Sequence, residues 1–170
     1  MTTQTNYTVD EWNLLVQAPA LATLFIIQAA PYNRIAVAHK LLATIAVISE
    51  TAPHGPHTEL IHAVVAAIQA GRMPRQPSAH PRDLAEARRW VLAQCRQIGA
   101  LLEQKAPEAE AKAFTGWLIR IGRRVMVGTN ANDLGDVRMV AAQMQSGLAL
   151  EMLSSALTFP FGVGASVRAA

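Results

Sequence analysis

Four side chains suited to chemistry fall between positions 54 and 62: His54, His57, Glu59 and His62. Glu59 and His62 stand three apart, the spacing at which a helix presents two residues on one face and by which di-iron carboxylate bundles present ligands. One chemistry this permits is general acid/base work by the Glu59/His62 pair. The other is a zinc site drawn from His57, Glu59 and His62. A di-iron site, however, needs two Glu-x-x-His pairs and two further glutamates, and this chain offers one pair. His57 and Glu59 also straddle the start of a helix and need not converge. The simpler reading is that Glu59 favours the positive end of its own helix and the histidines are loop and surface groups. The chain is therefore expected to hold no metal and no cofactor. Glu59 and His62 remain the catalytic candidates, and His57, Glu59 and His62 the metal candidates.

Other chemistries find less support. The lone Cys95 excludes an internal disulfide, a C-x-x-C redox pair and a multi-cysteine zinc site built by one chain. It lies among Trp90, Val91, Ile98 and Leu101, where a cysteine usually serves as a small buried hydrophobe. There is no phosphate-cradling glycine loop and no G-x-S-x-G. Arg82, Arg89 and Arg96 recur every seven residues, and Arg120, Arg123 and Arg124 cluster further on, yet no nucleic-acid reading module accompanies them. With a formal net charge of +3, they read as solvated outer faces, so no specific nucleic-acid partner is expected.

The elements that position these residues are helical throughout. Alanine and leucine dominate a 51% hydrophobic composition, which favours helix over strand. After a polar leader at 1–7, Thr8 and Glu11 form a capping box for a helix with Trp12, Leu15 and Val16 inward. A break or kink is expected at Pro19, with a second segment running through Leu21, Leu24, Phe25 and Ile27. Residues 34–49, with Ile35, Val37, Leu41, Leu42, Ile45 and Ile48 at steps of three and four, predict the central helix of the bundle. Thr58 is expected to cap the next helix, whose Leu60, Ile61, Val64, Val65 and Ile68 stripe ends at a left-handed Gly71.

Three prolines make 72–82 a surface linker. A helix follows from about Arg82 to Gln104, with Leu84, Ala87, Val91, Leu92, Ile98, Leu101 and Leu102 inward, and Ala106-Pro107 restarts the chain. Glu108 and Glu110 complement the dipole of the next helix, which buries Phe114, Trp117, Leu118, Ile121 and Val125. After a turn at 128–135, Asp136 caps a last helix reaching about Leu157. The helix runs through Val137, Val140, Met144, Leu148 and Met152; Val140, Met144 and Leu148 can serve the core, Leu150, Leu153 and Leu157 project from a second face, and Met139, Met144 and Met152 can adapt to a self-complementary fit. Residues 158–170 form a tail.

Two resemblances accompany this reading. Glu59, His62 and Gly71 resemble the Glu-x-x-His, alanine-rich turn and glycine of the alkylhydroperoxidase-like, carboxymuconolactone decarboxylase family. Its C-x-x-C is absent here, so the resemblance implies a Glu59/His62 site without the thiol pair. Glu11-Trp12-Asn13-Leu14-Leu15 with Ala18-Pro19, Glu59-Leu60-Ile61, and Phe114 with Trp117-Leu118, Ile121 and Val125 resemble a group of all-helical bacterial proteins of unknown function. Leu134-Gly135-Asp136-Val137-Arg138 departs from the Gly-rich turn and Ser-x-x-Glu cap of that group.

The resulting expectation is an all-α, single-domain bundle of six or seven helices over 8–157. Its function is read as a scaffold or interaction module that self-associates through Leu150, Leu153 and Leu157. A small enzyme or metal-binding protein using Glu59/His62 is the alternative. No membrane span is expected, because no window reaches roughly 18 uninterrupted apolar residues; Gly147 to Ala165 comes nearest. A reducing cytoplasm follows from the cysteine usage.

Overall fold

The computed structural model describes residues 4–29, 46–71, 83–127 and 136–158. Over these the protein is all-α, without a strand. A short 3-10 turn at Gln4–Asn6 leads into α1, Val9–Ala29. Residues 46–50 are helical. They are followed by α2 (Glu59–Gln69), α3 (Leu84–Lys105), α4 (Glu108–Val127) and α5 (Asp136–Leu157). Most of the reading of 34–49 as the central helix lies outside the described residues, as do the 72–82 linker, the 128–135 turn and the tail beyond residue 158. Within the described residues α1 takes the central place, packing against α2, α3, α4 and α5.

The start of α1 follows from local sequence. Thr8 N–H donates to Glu11 Oε2 at 2.7 Å and Glu11 N–H donates to Thr8 Oγ1 at 3.3 Å, so two amides without intrahelical partners are satisfied reciprocally. Glu11 Oε2 also accepts from Lys105 Nζ at 2.6 Å, which ties this end of α1 to the last turn of α3. That ammonium, with the Thr8 amide, holds the Glu11 carboxyl below the usual carboxylate range.

The break expected at Pro19 does not occur: α1 runs unbroken from Val9 to Ala29 with Pro19 inside it. Proline removes an N–H and costs an isolated helix about 3 kcal/mol. Here Leu15 and Val16 before it and Leu21, Ala22, Phe25 and Ile26 after it are all buried in one core, so tertiary packing outweighs the local penalty. That burial also explains a second difference. By length and composition α1 is apolar enough to cross a membrane, but most of it is buried inside the bundle; the stretch Gly147 to Ala165 lies partly outside the described residues.

Helices α3 and α4 follow their sequence stripes. Asp83 caps α3 by accepting from Glu86 N–H at 2.7 Å. Val91, Leu92, Cys95, Ile98, Leu101 and Leu102 face inward, whereas Leu84, expected inward, is 55% exposed in the first turn. In α4, Phe114 and Trp117 are fully buried and meet edge to face, with centroids 5.5 Å apart.

The last helix reverses the predicted orientation. Leu153 and Leu157 are 0% and 2% exposed, and Leu150 is partly buried, so the face read as an outward patch belongs to the chain's own core. Met144 and Leu148, read as able to serve the core, are 67% and 61% exposed, and Met152 beside them is 51% exposed. The inner arc of α5 alternates these leucines with Ser146, Ala149 and Ala156. Small residues let helix backbones approach closely, and glycines on the facing helices extend the effect. A Cβ on Gly99 of α3 would lie 3.0 Å from the Leu157 carbonyl oxygen, and one on Gly122 of α4 would lie 3.0 Å from Leu150 Cδ1.

Candidate functional site

The histidine cluster surrounds the start of α2. His57 adopts a left-handed backbone (φ 65°) and Gly55 lies at φ 144°, which turns the chain into the helix. His54 and His62 stack with ring centroids 5.6 Å apart, and His54, His57, Glu59 and His62 are all exposed. No group of three metal-ligating side chains forms among the described residues. Glu59 and His62 thus share the solvent-facing first turn of α2, the arrangement expected of surface groups.

The buried chemistry at this end of the bundle belongs to a residue with a different predicted role. Thr58, expected to cap α2, makes no side-chain cap; its hydroxyl donates to the Gly55 carbonyl at 2.7 Å. Glu110, expected to serve its own helix dipole, instead crosses from α4 and accepts from Leu60 N–H at 3.2 Å. Glu110 is only 2% exposed and lies at the positive end of α2, where a hydrogen bond from an otherwise unpaired amide favours its carboxyl group. Among the described residues its second oxygen has no hydrogen-bond partner, nor do the Tyr7 hydroxyl and Trp117 Nε1. Burial, and then the negative charges of Glu110 and Glu11, push the Tyr7 hydroxyl up to about 12. Tyr7 is therefore neutral at ordinary pH, as is the Cys95 thiol, which burial also pushes up to about 12. The Glu110 carboxylate fastens α4 to the start of α2.

A concave site opens elsewhere, among α1, α3 and α5. It encloses about 520 Å³ and has apolar walls that include Phe25, Leu92, Leu148 and Met152. Arg88 and Arg89 line it, and no acidic side chain is among the described lining residues. Arg88 is half-buried; its Nη2 donates to the Gln28 carbonyl, while its Nε and the Gln28 Oε1 are buried without partners among the described residues. Among the described residues neither Arg88 nor Arg89 has a carboxylate partner.

Arg88 was not singled out by sequence, which gave weight to the exposed series containing Arg89 and Arg96. The available signal is its position: it immediately follows buried Ala87 and lies three residues before Val91, at the margin of the inner stripe of α3.

No protein family, curated protein or solved structure is matched by the chain. The two resemblances described above rest on their sequence patterns alone.

Proposed function

We propose that the protein is a helical interaction module that associates with a second copy of itself through the outer face of α5. Met144, Leu148 and Met152 carry this reading: three large apolar side chains, spaced four apart along one helix and each more than half exposed. A contiguous patch of this kind commonly marks an interface. Two-fold pairing would bury the same face on both subunits, and the two methionines could adapt to an imperfect self-complementary fit. A reducing cytoplasm suits a chain with one buried thiol. Light scattering across a dilution series tests the proposal. A mass twice the 18.3 kDa of the chain, falling toward that of one chain on dilution, is expected. A single-chain mass at every concentration would refute it.

A further inference from the structure

We propose that the groove between α1, α3 and α5 binds a single-chain amphiphile with a carboxylate head, such as a medium-chain fatty acid. The inference goes beyond self-association and does not rest on it; Leu148 and Met152 belong both to the groove and to the outer stripe of α5, so a bound ligand and a second copy would compete for them. A cavity of about 520 Å³ falls within the range of small-molecule sites, about 300–1,000 Å³. Phe25, Leu92, Leu148 and Met152 provide an apolar bed for an alkyl chain, and the flexible, unbranched side chain of Met152 allows that bed to adapt.

The charge of the lining selects the head group. Arg88 and Arg89 both line the groove, with no acid among its described lining residues. Arg88 is also partly withdrawn from water, and its one described protein acceptor is the uncharged Gln28 carbonyl. A half-buried guanidinium without a counter-ion is costly, and a carboxylate supplies both the missing charge and a planar pair of acceptors suited to the guanidinium fork. An uncharged alkyl ligand would use the same walls and leave that charge unanswered.

Calorimetric titration of the full chain with decanoate, below its micelle-forming concentration, tests this against decanol as the uncharged probe. Decanoate is expected to bind saturably at one per chain and about tenfold or more tighter than decanol. Arg88→Met should reduce decanoate to the affinity of decanol. Ala85→Glu, an exposed substitution on the groove wall, provides a second variant that spares the core; it should weaken decanoate by a similar factor and leave decanol unchanged. Absence of saturable decanoate binding, equal affinity for the two probes, or decanoate binding unaffected by Ala85→Glu would each overturn the assignment. Light scattering on the same samples reads self-association, which bound decanoate should weaken because Leu148 and Met152 serve both surfaces. Decanoate binding by a chain that never pairs would refute the dimer and leave the groove assignment standing.

Discussion

The two faces of α5 are both apolar, yet they meet different surroundings. On one face Leu153 and Leu157 are sealed against the other helices; on the other, Met144, Leu148 and Met152 stand in solvent. Hydrophobicity alone does not separate them, because methionine and leucine occur on the exposed side too. The difference lies in the residues between the large ones. Ser146, Ala149 and Ala156 flatten the inner face, and Gly99 and Gly122 on its neighbours accept close contact. The outer stripe has large side chains at three positions, each four residues after the last. It projects from the helix where the inner face fits into the bundle.

Substitutions can sharpen or break that comparison. The largest effect is expected on the inner face, where Leu153→Ala should lower unfolding stability by about 3 kcal/mol through lost burial and a residual cavity. Chemical denaturation of the purified variant measures it; a loss below about 1 kcal/mol would mean that this face is less tightly packed than its burial indicates. Gly99→Ala should follow, at about 1 kcal/mol destabilising, because the new methyl meets the Leu157 backbone carbonyl at 3.0 Å. Equal or greater stability in the same assay would show that the end of α5 yields readily.

A smaller change is expected for Gly122→Ala, within about 0.5 kcal/mol of the parent. Its nearest neighbour is the end of the Leu150 side chain, which can rotate away, and the gain in helix propensity offsets the adjustment. Thermal unfolding of Gly99→Ala and Gly122→Ala side by side would test the distinction between backbone and side-chain contact. The reverse order of stability would contradict it.

The same contrast explains what was legible in the sequence. The capping box at Thr8 and Glu11, the Asp83 region as a helix start, the stripe of α4 and the left-handed Gly71 all depend on neighbours within a few residues. Local spacing contains that information. The cap on α2 does not: Leu60 N–H meets Glu110, fifty positions away, and only the packing of α4 against α2 brings them together. Continuity through Pro19 is a tertiary effect as well, since the local rule predicts the opposite.

The orientation of α5 was ambiguous for a related reason. Either apolar arc satisfies helical periodicity, and choosing between them requires the close approach that small residues permit. Among the site residues, exposed Glu59 and His62 were visible as a motif, whereas Arg88 acquires its setting from Gln28 and from a groove built by three separate helices.

The most direct measurement of the central claim is the mass of Leu148→Glu beside that of the parent, by light scattering at matched concentrations. The parent should have the mass of two chains. The variant should have the mass of one, with unchanged helix content by circular dichroism, because a carboxylate on the outer face opposes pairing without entering the core. A parent that stays monomeric, or a Leu148→Glu variant that still pairs as the parent does, would contradict assignment of this face as the interface.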